Sequence, residues 1–255
     1  MMGLLRTILQ KRGYVLWKRD FFRFGISPFV DMARLNAAWG RPLHVVFDVG
    51  ANEGQFARDA RQELPRAEIY SFEPHPRTFE KLTRSNTDDL MFQHCLALGE
   101  EVGDVSFYEY GAEGDSSQRN SLITNARSTR FGYQSREIKV RGTTIDDFCA
   151  TRNIEQIDFL KIDVEGAELS VLKGGKDMLS RRRIMAVYFE FNDLDPMPDL
   201  DGGALMPIAR YLGDFGLRYA CTYTDFLLHR NELNVVANAL FVLPPADERT
   251  SAHGD

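Results

Sequence analysis

Three short segments of the chain hold residues whose types and spacing suit chemistry. In Asp48-Val49-Gly50-Ala51-Asn52-Glu53-Gly54, an acid and two glycines follow the apolar run Leu43 to Phe47. In Phe72-Glu73-Pro74, an acid closes a second apolar run. In Leu160-Lys161-Ile162-Asp163-Val164-Glu165-Gly166, two carboxylates stand two residues apart before a glycine. A glycine turn between a strand and a helix lets backbone N–H groups approach a nucleotide-like ligand closely. An acid about one βαβ unit later is placed to accept hydrogen bonds from both hydroxyls of a ribose. A strand-end carboxylate can hold a substrate or accept a proton.

The glycine turn departs from a dinucleotide fingerprint. That fingerprint places three glycines around a pyrophosphate at a helix N-terminus. Asn52 stands where its second glycine would be. Its side chain would obstruct a pyrophosphate but can donate hydrogen bonds to a carboxylate, which counts against a nicotinamide oxidoreductase. The features suit a ligand with a ribose and no pyrophosphate, and S-adenosylmethionine fits that description. Gly50, Asn52, Gly54 and Glu73 are then the candidate cofactor contacts. Asp48, Glu53, Asp163 and Glu165 are expected to line the same edge and favour its sulfonium cation.

These residues need a particular scaffold. Leu43–Phe47 reads as a buried strand, and Phe56, Ala60 and Leu64 give the four-residue spacing of a following helix. Ala67–Glu73 is a second strand and Pro76–Asn86 the next helix, with Phe79 and Leu82 on one face. Leu90–Leu98 reads as a third strand, and Asp104–Tyr110 and Arg136–Val140 as added alternating strands. Thr144-Ile145-Asp146-Asp147 has a capping-box-like helix start. Ile157–Asp163 is a fourth strand, and Ala167–Leu172 begins a helix that Gly174-Gly175 ends or interrupts. Ile184–Phe191 is a fifth strand. A helix around Leu205, Ile208, Leu212 and Phe215 is closed by Gly216, and strands at Leu217–Tyr223 and Ala239–Leu243 follow. Such βα alternation implies a mainly parallel sheet with helices on both faces. Ligands of open α/β sheets bind at the carboxyl ends of the strands, where all three segments end.

The motifs together resemble the FkbM-family methyltransferases. The segments that carry the likeness are Asp48 to Gly54, Phe72-Glu73-Pro74, Thr144 to Phe148, Leu160 to Glu168 and Val171 to Gly175. The resemblance runs from about Val45 to Phe191. It implies a class I methyltransferase fold, Rossmann-like, with a seven-stranded, mostly parallel sheet and one antiparallel strand near its edge. It also implies S-adenosylmethionine as donor and a hydroxyl acceptor, often on a sugar, glycan or polyketide. By the same resemblance the Gly50–Gly54 loop holds the methionine end, Glu73 the ribose, and Ala97-Leu98 lies near adenine.

Methyl transfer to a neutral hydroxyl is helped by a general base. Asp163 is the first candidate and Glu165 the second. His75 reads foremost as a turn residue near the ribose, His94 as a structural histidine, and Glu168 as an acid stabilised by a helix N-terminus. A second scheme has Asp163, Glu165, Glu190 and Asp193 binding Mg²⁺, which would lower the pKa of the acceptor hydroxyl. A third has a non-catalytic protein that binds S-adenosylmethionine.

The bulk properties set limits. A net charge of −6 argues against broad nucleic-acid binding. Apolar runs are far too short for a membrane span. Cys95, Cys149 and Cys221 have no metal spacing and no disulfide framework, so the reducing cytoplasm is the expected location. Residues 1–40 read as an N-terminal helical extension, 41–245 as the methyltransferase domain and 246–255 as a disordered tail. The first 24 residues are basic and amphipathic, which fits packing on the domain better than a membrane-surface helix. The polar stretch Gly111–Ser135 reads equally as a substrate-facing loop or plain surface, and so does the acidic, proline-rich stretch from Asn192.

Overall fold

The computed structural model describes residues 23–84, 88–110, 121–122, 135–191, 204–229 and 232–245. The basic N-terminal stretch up to residue 22, most of the polar stretch, the acidic loop from Asn192 with Asp193, and the tail lie outside the described residues.

The first described helix, α1 (Pro28–Trp39), begins where Ser27 accepts a hydrogen bond from the Val30 N–H at 3.4 Å. Pro28 occupies the start of the helix, where no N–H is needed. Then follow β1 (Val45–Val49), α2 (Gln55–Glu63), β2 (Glu68–Phe72), α3 (Pro76–Arg84) and β3 (Met91–His94). Three short-range strands come next: β4 (Ala97–Leu98), β5 (Gly103–Tyr110) and β6 (Ser135–Thr143). The chain continues through α4 (Ile145–Arg152), β7 (Phe159–Ile162), α5 (Glu168–Lys173), α6 (Lys176–Ser180) and β8 (Ala186–Phe191). It closes with α7 (Leu205–Asp214), β9 (Arg218–His229) and β10 (Glu232–Val242).

The main sheet has seven strands in the order β3-β2-β1-β7-β8-β10-β9. The pairs from β3 to β8 are parallel, and β10 runs antiparallel to both its neighbours. This is the class I methyltransferase architecture, with its single antiparallel strand next to the edge. The order reverses between β1 and β7, which makes their carboxyl ends the topological switch point.

Strand alternation sorts side chains between two cores. Phe47, Val49, Leu160 and Ile162 face α4 to α7, with Phe148, Leu172, Leu179 and Leu212 packed on them. Val46, Phe159 and Ala186 face α1 and α2, against Phe29, Met32, Ala57 and Ala60. Asp48, Lys161, Tyr188 and Glu190 continue the second series by two-residue steps, so they lie on the α1/α2 side.

Two stretches differ from the sequence expectation. Leu90–Leu98 is not one strand. It splits into β3, which pairs with β2, and β4, which pairs with β6 in a separate sheet ordered β4-β6-β5. The β9–β10 hairpin is longer than Leu217–Tyr223 and Ala239–Leu243 suggest. It is an antiparallel ladder from Arg218 to His229, and alternating burial is not needed where a ribbon projects beyond its neighbours.

The start of β1 is held by a buried carboxylate. Asp158, 3% exposed, accepts from the His44 N–H at 2.7 Å and the Val45 N–H at 2.9 Å. Asp158→Ala leaves both donors unpaired. Urea unfolding should show a loss of about 2 kcal/mol, and an unchanged midpoint would contradict this role.

Candidate active site

Asp48 and Lys161 are direct cross-strand partners at the switch point. Lys161 Nζ lies 3.1 Å from Asp48 Oδ1 and 3.5 Å from Asp163 Oδ2. It also donates to the Gly50 carbonyl at 2.8 Å and the Val49 carbonyl at 3.3 Å. Its ammonium stands 5.9 Å from the centre of the Phe56 ring. Burial alone pulls the Lys161 ammonium down, but Asp48 and Asp163 outweigh it and hold the group above its ordinary value. Burial pushes Asp48 up, against the pull of Lys161. Asp48 is fully buried and does not line the cavity described below, so its expected contact with a ligand gives way to a supporting role beneath Lys161.

The glycine turn is shaped by the protein itself. Gly50 has φ +72, and a Cβ there would overlap the Asp163 carbonyl oxygen. Gly54 has φ +83, and its Cβ would stand 2.6 Å from Leu82 Cδ1. Both positions therefore require glycine for conformation and for close packing, where the sequence suggested room for a ligand. Asn52 adopts φ +48. Its backbone N–H donates to Glu73 Oε2 at 3.0 Å, and the His75 N–H donates to Glu73 Oε1 at 2.9 Å. The Asn52 amide N–H is thus engaged within the protein, which leaves its side chain facing the cavity. Burial pushes the Glu73 carboxyl up to about 7, against the pull of those two N–H groups.

The segment after β7 is a tight turn. Glu165 has φ +57 and Gly166 φ +105. Glu168 is 2% exposed, and its Oε1 accepts from the Val164 N–H and the Gly166 N–H, each at 3.1 Å. It fastens the turn from behind, a larger task than the helix-end acid expected from sequence. Burial raises its carboxyl to about 7. Asp163, Glu165 and Glu190 each place a carboxylate oxygen within 4.8 Å of the others.

These groups open onto one cavity of about 750 Å³. Gly50, Asn52, Glu73, Ala97, Leu98, Asp163 and Glu165 all line it. Phe29, Phe56, Tyr188 and Asn238 line it as well. Of the nine sequence-nominated residues, Asp48 stays beneath the floor, and Gly54 is absent from the lining as well.

Residues 48–213 match the methyltransferase FkbM domain family. The chain belongs to the FkbM methyltransferase family. It is 31% identical over 161 residues to the 2-O-methyltransferase NoeI of Sinorhizobium fredii, covering 60% of this chain and 65% of that protein. It is 32% identical over 179 residues to the 31-O-demethyl-FK506 methyltransferase FkbM of Streptomyces tacrolimicus, covering 61% of this chain and 68% of that one. The hexuronic acid methyltransferase AglP of Haloferax volcanii is 30% identical over 147 residues, covering 56% and 55%. The chain thus spans roughly half to two thirds of the length of these relatives.

Within this FkbM-family chain, two histidines are set apart from the cavity chemistry. His75 is 3% exposed, with Nδ1 2.8 Å from Thr78 Oγ1 and Nε2 2.6 Å from Glu109 Oε1. It does not line the cavity. His94 stacks on Phe72 at 5.4 Å and packs edge-on to Phe148 at 4.9 Å, and burial lowers its pKa to about 4. Sequence reasoning assigned no role to Lys161, although a lysine inside the apolar run Phe159–Ile162 was a visible signal. Tyr188 and Asn238 carried no such signal, since each sits in an ordinary strand pattern.

Removing the ammonium while keeping the carboxylates should be severe. Lys161→Met leaves Asp48 buried without its cation and should lower unfolding free energy by about 3–5 kcal/mol. The double variant Asp48→Leu/Lys161→Met should be more stable than the single one in urea. A double variant no better than Lys161→Met would argue against the pair.

Proposed function

We propose that this protein transfers a methyl group from S-adenosylmethionine to a hydroxyl of a sugar, glycan or secondary metabolite. The observation that carries this reading is the Glu73 carboxylate and the Asp163 carboxylate opening onto one cavity at the switch point. The family and its O-methyltransferase members support the reaction class. A buried strand-end acid, an amide side chain at Asn52 and an apolar rim at Ala97-Leu98 are the donor and acceptor set that an adenosyl amino acid needs.

In this reading Glu73 takes the ribose hydroxyls, the Gly50–Gly54 turn meets the methionine end and Ala97-Leu98 borders adenine. The cofactor supplies an electrophilic methyl group on a sulfonium. Asp163, half-exposed, accepts the proton of the acceptor hydroxyl as general base. Lys161 fixes its direction through the 3.5 Å contact. Glu165 is the second candidate for the base. Holding the acceptor oxygen in line with the methyl carbon supplies much of the acceleration.

The approach of Asp163, Glu165 and Glu190 favours a second scheme, in which they bind Mg²⁺ and the metal lowers the pKa of the acceptor hydroxyl. Loss of transfer on EDTA treatment and recovery with Mg²⁺ would select it. Transfer indifferent to EDTA selects the carboxylate base.

Titration calorimetry with S-adenosylmethionine tests the cofactor half. Glu73 accepts hydroxyl donors best when ionised, and its carboxyl titrates at about 7. Affinity should therefore rise with pH up to roughly neutrality, by at most about tenfold per unit, and then level off. Glu73→Gln should bind weakly with a flat profile, which separates its titration from that of Glu168. No binding to the unaltered chain at pH 8 would end the cofactor assignment.

Transfer of labelled methyl to a panel of methyl glycosides and hydroxylated metabolites tests the other half. Asp163→Asn should lower turnover by about 100-fold or more, with cofactor affinity within a few-fold of the unaltered chain. Retained turnover would move the base to Glu165. Tight cofactor binding with no transfer to any acceptor would favour the non-catalytic alternative.

A further inference from the structure

The polar stretch between β5 and β6 reaches the candidate active site through Ser121 and Leu122. Ser121 is tied to Tyr108 of β5 by two backbone bonds. The Tyr108 N–H donates to the Ser121 carbonyl at 2.8 Å, and the Ser121 N–H donates to the Tyr108 carbonyl at 3.2 Å. Its side chain is directed the other way. The Ser121 hydroxyl lies 3.0 Å from the Val164 carbonyl oxygen and 3.1 Å from the Glu165 carbonyl oxygen. Ser121 is 1% exposed, and Leu122 beside it lines the cavity.

The turn that Ser121 grips is strained. A non-glycine residue in the left-handed region, as Glu165 is, persists only where its surroundings hold it. Two groups hold this turn from opposite sides. Glu168 takes the Val164 and Gly166 N–H groups, and Ser121 donates to the Val164 and Glu165 carbonyls. One hydroxyl has a single proton, so it serves both carbonyls as a shared donor. A free turn would relax toward a conformation that re-aims the side chains on either side, and those side chains are Asp163 and Glu165.

We propose that Ser121 is a positioning residue, whose hydroxyl fixes the Val164 and Glu165 carbonyls so that the Asp163 and Glu165 carboxylates stay at the methyl end of the cofactor. This rests on the reading of the cavity as an S-adenosylmethionine site. It gives Ser121 and Leu122 a task in the reaction: Leu122 borders the cavity and Ser121 sets the carboxylate turn.

The test needs no known acceptor. S-adenosylmethionine carries a sulfonium charge, whereas S-adenosylhomocysteine carries a neutral thioether, so the ratio of their affinities reports where the two carboxylates stand. Calorimetry with both compounds is performed on the full chain and on the variants Ser121→Ala and Ser121→Thr, with thermal melts alongside. The preference for S-adenosylmethionine over S-adenosylhomocysteine should fall at least threefold in Ser121→Ala. Ser121→Thr, which keeps the hydroxyl, should hold the preference within twofold of the unaltered chain. A ratio that moves less than threefold in Ser121→Ala, even with a lowered melting temperature, would show a merely structural serine and overturn the proposal. Equal ratios in the two variants would overturn it too, because the hydroxyl would then not be the cause. If the unaltered chain binds neither compound, the cofactor reading itself fails and takes the proposal with it.

Discussion

The cross-strand pair of Asp48 and Lys161 is the constraint around which the site is arranged. It sits between the two strands where the chain changes direction across the sheet, so no helix or loop intervenes between its charges. A single ammonium reaches four acceptors: Asp48, Asp163 and the carbonyls of Val49 and Gly50. Two of these, Asp48 and Val49, belong to the strand that leads into the glycine turn, Gly50 begins that turn, and Asp163, the candidate base, directly follows the neighbouring strand. Displacing Lys161 would therefore disturb the glycine turn and Asp163 together. A buried charge pair is weak evidence for stability, because desolvation offsets much of the attraction. Its placement here is better explained by register: it locks the ends of β1 and β7 at one relative height.

The two turns that leave these strands are built on a common plan. Each contains a non-glycine residue with positive φ, Asn52 in one and Glu165 in the other. Each has backbone N–H groups that would be left without partners by that conformation. In each, a buried carboxylate accepts them: Glu73, at the end of the next strand, for Asn52, and Glu168, in the following helix, for Val164 and Gly166. Both carboxyls are raised to about 7 by burial, despite the hydrogen bonds they receive. The strain in the turns is thus held by groups whose own ionisation is disfavoured.

Much of this was legible in the sequence, for reasons that differ by element. The strands flanking the switch point are buried on both faces, so they read as apolar runs ending in acids, and Asp48, Glu73 and Asp163 fell at strand ends as expected. The cap at Thr144 was visible because its side chain bonds the Asp147 N–H at 3.0 Å, a purely local interaction. What could not be read depends on contacts between distant residues. Leu90–Leu98 is one apolar run in sequence, and only its pairing with β2 and then β6 divides it. Asp48 looks like a ligand contact until Lys161 is known to cover it. Gly50 and Gly54 look like ligand clearance until Asp163 and Leu82 are found against them. At each of these positions the structure shows an internal demand on the residue.

The cavity draws on two parts of the chain. The candidate cofactor contacts Gly50, Asn52, Glu73, Ala97 and Leu98, and the carboxylates of Asp163 and Glu165, all fall within residues 48–213, the stretch that matches the family. Pro28 and Phe29 come from α1 and Asn238 from β10, on either side of that stretch. Phe29 packs on Phe56 at 5.1 Å, and Phe56 in turn stacks on Tyr188 at 6.3 Å, so an aromatic wall joins the outlying helix to the shared core. Asn238 stands directly across from Glu190 in the β8–β10 ladder. A helix packed on the sheet and an antiparallel edge ladder can change their exposed side chains without moving β1, β2 or β7. The Phe29 ring and the Asn238 amide, supplied from outside the shared stretch, are the parts of this cavity most open to such variation.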